Sequence, residues 1–153
     1  MSARVQHESF DLNHILYEMK KNNASVGAAV SFIGFVRDIQ GSYESEHLTS
    51  LYLEHYPGMT EKSLLEIENK AREKWNLEDV FIVHRVGELK LHDPIVGLIV
   101  LSAHRKDAFE ACAFMMDYIK TEVPFWKNES TKEGSRWVEA KESDNEMKFR
   151  WNS

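Results

Sequence analysis

Ile95-Val-Gly-Leu-Ile-Val-Leu-Ser-Ala103 is the stretch on which the fold turns. It is almost entirely apolar, without the polar alternation of a strand that has one face in water. It therefore predicts a strand covered on both faces. Downstream, the spacing predicts a helix over 106–122, with Asp107 and Glu110 at capping-box spacing. Val123 precedes Pro124 and is biased out of the helical region, which ends that helix. Upstream, Asp93-Pro94 reads as a turn, Glu88–Leu91 as a short strand set off by Gly87, and Val80–Val86 as another strand. Thr60 predicts the cap of a helix that carries Leu64, Leu65, Ile67 and Ala71 and ends near Trp75.

Further from the opening run, His47–Tyr56 alternates, with Leu51 and Leu53 on one face and Tyr52 and Glu54 on the other, so it reads as a strand. Pro57-Gly58 stops it. Val26–Val36 reads as a buried strand, and 38–46 as a polar loop containing Gly41 and Ser42. Asp11 is placed to cap a helix with Leu12, Ile15, Leu16 and Met19 on one face. Arg136–Ala140 is a last short strand, and the charged tail from about 142 is expected to be loose. The order is helix, two strands, helix, three strands, helix, strand. This predicts a single α+β domain over 1–153, with a mixed sheet carrying helices and an alternation too irregular for a doubly wound fold.

Composition narrows the function. The 153 residues fit one domain, and 42% hydrophobic with 29% charged residues is an ordinary balance that argues against disorder. A net charge of −6 argues against a nucleic-acid binder, so any bound anion must be held by a local cluster of cations. The N-terminus lacks an apolar signal core and no run approaches the ~20 residues of a membrane span, so a cytoplasmic protein is expected. Cys112 is the only cysteine; it lies in an apolar run and reads as core packing, and it excludes an intramolecular disulfide. The seven histidines show no metal-ligand spacing, so neither a metal nor a cofactor is expected.

Three cationic places remain. Lys120-Thr-Glu-Val-Pro-Phe-Trp-Lys127 brackets an apolar wedge with two lysines. Two readings fit it: desolvated, reactive lysines, or snorkelling ones at a helix end. On a helix, Lys120 shares a face with Phe109, Ala113 and Met116, at the margin of the apolar stripe, which predicts partial burial. Ser102-Ala-His104-Arg105 stands where the apolar strand meets a helix N-terminus, a natural anion site. Gly34-Phe-Val-Arg37 puts an arginine where a strand gives way to a loop. Glu54, His55, Tyr56 and His84 also attract notice, but strand alternation over a core accounts for them.

Seven segments in order then resemble one family: Leu53-Glu-His-Tyr-Pro-Gly-Met-Thr60, His84-Arg-Val-Gly-Glu88, Ser102-Ala-His-Arg105, Phe109-Glu-Ala, Asp117-Tyr-Ile-Lys120, Pro124-Phe-Trp-Lys127 and Arg136-Trp-Val-Glu-Ala140. Together they resemble the large, catalytic subunit of molybdopterin synthase, over about Gly27 to Ala140. The resemblance implies a hammerhead-like α/β fold with an added antiparallel sheet. It also implies sulfur transfer from the thiocarboxylated Gly-Gly tail of a small ubiquitin-like subunit to cyclic pyranopterin monophosphate, forming molybdopterin. A central homodimer within a heterotetramer is implied as well. Catalytic roles then fall on Lys120 and Lys127, and substrate contacts on Phe35, Val36, Arg37, His104, Arg105, Asn128 and Glu129. Lys141 departs from the arginine of some members and keeps the charge without the fork. A non-catalytic anion- or nucleotide-binding subunit, indifferent to Lys120, and a structural dimer scaffold are the competing readings.

Overall fold

The computed structural model describes residues 3–37, 48–131, 134–138 and 151; the expected 38–46 loop and Lys141 lie outside them. Among the described residues the chain runs β1 (Arg4–Gln6), α1 (Leu12–Lys20), β2 (Ala28–Phe35), β3 (Leu48–His55), α2 (Met59–Lys74), β4 (Asp79–Arg85), β5 (Gly87–Leu89), β6 (Pro94–Ser102), α3 (Arg105–Glu122), β7 (Phe125–Thr131) and β8 (Gly134–Val138). Two four-stranded sheets form. The first has the order β1-β4-β6-β2 and the second β5-β3-β7-β8. The first is mixed, with β1 parallel to β4 and the other pairs antiparallel. The second is antiparallel throughout.

The opening run behaves as its composition requires. Val96, Leu98 and Val100 of β6 join Val80 and Ile82 of β4 under α2 and α3, packed on Leu64, Ile67, Ala111 and Met115. Ile99 and Leu101 point the other way, with Phe81 and Val83, onto Leu12 and Met19 of α1. Each such fully buried aliphatic contributes roughly 1.5–3 kcal/mol. Covered faces on both sides remove any reason for polar alternation.

Local signals give mixed outcomes. Asp11 caps α1: its Oδ1 accepts from the backbone N–H of Asn13 at 3.0 Å and His14 at 3.4 Å. Thr60 does not cap α2. The cap is Gly58, whose positive φ of 84° suits glycine and whose N–H donates to Glu61 Oε2 at 2.6 Å. Thr60 instead stands in the first turn. Its hydroxyl accepts from Tyr56 N–H at 3.1 Å and donates to the Pro124 carbonyl at 3.3 Å. The predicted capping box of the long helix is also absent. Its N-cap is His104, without a side-chain cap, and Glu110 accepts from Trp75 Nε1 at 2.8 Å instead, tying α3 to the end of α2. Val123 does end α3, in extended conformation.

Two strands were not expected. β1 pairs with β4 over Arg4–Val83, Val5–His84 and Gln6–Arg85. β7 turns the Phe125-Trp-Lys-Asn stretch into the centre of the second sheet, between β3 and β8. From the charged tail, Trp151 packs its ring edge-on against Trp75 and Phe114, and its Nε1 donates to Asp117 Oδ2 at 2.5 Å. Cys112 is buried in the core, and burial pushes its thiol up to about 11. The described helices include none long and apolar enough to cross a membrane.

Candidate active site

The joint between the two sheets organises the site. β4 of the first sheet passes to β5 of the second across a single residue, Val86. Gly87 permits the turn with a φ of 87°, and a Cβ there would lie 2.6 Å from His7 Nδ1. Above this joint, α3 delivers Lys120 in its last turn, and Pro124 starts the segment that becomes β7.

Lys120 is exposed, contrary to the expected partial burial. The core-facing stripe of α3 is Ala108, Ala111, Cys112, Met115 and Ile119, and Lys120 lies one residue beyond it. Of the face it shares, Met116 is buried but Phe109 is 63% exposed, so the described residues leave that face partly uncovered. Lys127 is half-buried. It stands opposite Leu53 in the β3–β7 register, on the side of the second sheet that holds buried Leu51, Leu53 and Glu129. Strand alternation sends Asn128 to the other face, in a row with Tyr52 and Trp137. Its Oδ1 is buried without a hydrogen-bond partner.

The remaining expected residues fall at two places. A register shift between Gly34 and Phe35 ends β2, after which Phe35 and Arg37 are exposed. Val36 between them is buried with Leu51, Leu53 and Leu89, and its N–H and C=O are bonded to Asp93 and His92. Its side chain thus faces the core. His104 and Arg105 are exposed at the start of α3. That helix is continuous from Arg105 to Glu122, so at ~1.5 Å per residue Lys120 is about 22 Å from Arg105 along the axis.

Sequence reasoning set His84 aside, and the structure brings it to the lysines. It is the last residue of β4 on the helix-covered face of Val80 and Ile82, and 7% exposed. Its ring stacks on Phe125, centroids 3.8 Å apart and 19° from parallel. Nδ1 lies 2.8 Å from the Arg85 carbonyl, which only accepts, so Nδ1 carries the proton. Burial above all, then the charges of Lys120 and Lys127 and the nearby His55, push its pKa down to about 3; the Arg85 hydrogen bond opposes this. The sequence signal was the period-2 pattern running Val80, Ile82, His84: a histidine at the end of an apolar face. Among the described residues, no cluster of His, Cys, Asp or Glu is placed to hold a metal ion.

Among the described residues, two four-stranded sheets and three helices, with two lysines and a buried imidazole near the turn at Pro124, make this an α+β domain. Residues 5–122 match the MoaE protein family, and the chain belongs to that family. It is 46% identical over 150 residues to the molybdopterin synthase catalytic subunit of Ralstonia nicotianae, covering 98% of this chain and 84% of that one. Among solved structures, the molybdopterin biosynthesis MoaE protein of Burkholderia ambifaria is 44% identical, with a TM-score of 0.84 over 99% of this chain and 98% of that chain. Molybdopterin synthase from Staphylococcus aureus is 35% identical, with a TM-score of 0.79 over 88% of this chain and 95% of that chain.

Proposed function

We propose that this protein is the catalytic subunit of a molybdopterin synthase, a sulfurtransferase of molybdenum cofactor biosynthesis, acting in the cytoplasm. What supports the site is that Lys120 ends α3 and Lys127 lies on β7, on either side of the turn at Pro124, while the buried His84 ring stacks on Phe125, which lies between them in sequence. Sulfur comes from the C-terminal thiocarboxylate of a small ubiquitin-like carrier and goes to cyclic pyranopterin monophosphate. A dithiolene holds two sulfurs and each carrier tail one, so two carriers are consumed and leave as carboxylates. The donor tail and the cyclic phosphate are both anionic, and each needs local cations in a protein of net charge −6. Lys120, exposed and free of the core stripe, polarises the thiocarboxylate or stabilises charge developing on its carbonyl. Lys127 holds the pterin substrate, with the exposed Phe35 and Arg37 as further contacts, whereas Val36 faces the core and Asn128 the other side of the sheet.

His104 and Arg105 complete the phosphate site from a second subunit. The continuous α3 supports this, because a small pterin does not span about 22 Å. The assembly is then a homodimer of this chain with a small carrier at each end, and each pocket draws on both large subunits. Complementation tests it. Lys120→Ala chains mixed with His104→Ala, Arg105→Ala chains should regain part of the dithiolene-forming activity, since one pocket in each heterodimer is intact. No recovery in verified heterodimers would place the whole site in one chain.

A further inference from the structure

His84 joins parts of the molecule that the sequence keeps far apart. Its ring belongs to the first sheet, at the register of the apolar Val5 and Val96, and it stacks on the first residue of β7 in the second. That point of β7 is held from a second side, where the Thr60 hydroxyl donates to the Pro124 carbonyl. Phe125 N–H closes the turn onto the Val123 carbonyl at 3.0 Å, so the path from the end of α3 to β7 is short and fixed. Lys127 is two residues along that strand, on the same face as Phe125. Whatever sets Phe125 therefore sets Lys127.

We propose that His84 is a positioning residue for sulfur transfer: its ring, tied to the Arg85 carbonyl and stacked on Phe125, fixes where β7 begins and so where Lys127 stands relative to Lys120. This rests on the lysine roles given above. An imidazolium in that place would repel both lysines. Among the described residues, the charged or titratable groups that act on the ring are Lys120 from α3, Lys127 from β7 and His55 from β3. The Arg85 guanidinium is turned to the carbonyls of His7 and Pro94. With no carboxylate among these groups, the ring stays uncharged through the working pH range, and the lysine pair keeps its geometry there.

The test compares His84→Ala, His84→Phe, Lys120→Ala and Lys127→Ala in full-length protein, using a thiocarboxylated carrier and the pterin precursor. Melting temperature, kcat, KM and the pH profile are read for each. His84→Ala removes the stack and should lower kcat about thirtyfold or more, as expected for a displaced reacting group, with KM changed less than threefold. His84→Phe keeps a flat ring against Phe125 and should recover at least a third of the wild-type kcat. It also serves if the alanine variant does not fold. Wild type and His84→Phe should show pH profiles of the same shape between pH 5 and 8. Near-normal kcat in a folded His84→Ala, failure of His84→Phe to exceed the alanine variant or to retain a third of kcat, or a limb near pH 6.5 lost in His84→Phe would each overturn the proposal while the lysine roles stand. Full activity of both lysine variants would instead overturn the lysine roles, and the inference about His84 with them.

Discussion

The two sheets are built from the same alphabet to opposite ends. In the first, Leu98, Ile99, Val100 and Leu101 of the central strand are completely buried, sealed by α2 and α3 on one side and α1 on the other. In the second, one face is sealed by Val36, Leu51, Leu53 and Leu89, while the other shows Tyr52 at 48%, Trp126 at 48% and Trp137 at 58% exposure. The inner strands of the first sheet are finished within the chain, while its edge strand β2, expected to be buried, leaves Phe32 and Ile33 each 39% exposed. The second carries Lys127, borders Lys120, and leaves a broad aromatic face uncovered, more than scattered single hydrophobics. Under the proposed roles Lys127 belongs to the sheet that the described residues leave open on one side, although on its sealed face. Stability belongs to the buried strands of the first sheet.

Five outcomes sharpen or break that division. The largest is Lys120→Ala, which should cut sulfur transfer by roughly a hundred- to thousandfold with an unchanged melting temperature, because the side chain is exposed. A lowered melting temperature would make Lys120 part of the scaffold. Leu98→Ala in the sealed strand should do the reverse, costing about 3 kcal/mol in denaturant unfolding. Measured per folded molecule, its turnover should be close to wild type.

Acid comes third. His84 is held near 3 when folded against 6.5 when unfolded, so below pH 6.5 the unfolded chain binds the extra proton. Stability from this group is full above pH 6.5 and is lost as pH falls towards 3. By pH 5 the loss should be about 2 kcal/mol, and His84→Phe should remove that slope from urea titrations. Lys127→Ala should follow, with about tenfold lower activity and a raised KM for the precursor, since a partly buried cation on β7 binds more than it reacts. Trp137→Ser should be smallest for the isolated chain, within about 0.5 kcal/mol in urea unfolding, as an exposed residue on the open face. A cost near that of Leu98→Ala would show that face to be core after all.

Much of the scaffold was legible, because its signals are local. The apolar run of β6, the Asp11 cap and the helix stop before Pro124 each follow from a few neighbouring residues. What escaped was decided at long range. β1 is three residues long and exists through its register with β4. β7 reads Phe-Trp-Lys-Asn-Glu-Ser-Thr, with too little alternation to announce a strand, and is made one by β3 and β8. Thr60 looked like a cap because cap residues and first-turn residues differ only in backbone, and Gly58 with its positive φ took that place. The site divides in the same way. The two lysines stood out from their spacing, but their burial was misjudged for Lys120, since a helical wheel ranks faces without saying what lies opposite. His84 was passed over because no local pattern tells that the end of β4 meets the turn at Pro124.

Cys112 has a meaning for the reaction itself. It stands eight residues before Lys120 on the same helix, roughly 12 Å away, yet it is buried and its thiol is pushed up to about 11. At neutral pH roughly one molecule in ten thousand would offer a thiolate. A protein that receives sulfur in an activated form therefore presents no competing nucleophile of its own kind. The one thiol of the chain is thus kept from attacking the thiocarboxylate carbonyl, an attack that would leave a thioester on Cys112 and lose the donor sulfur as sulfide.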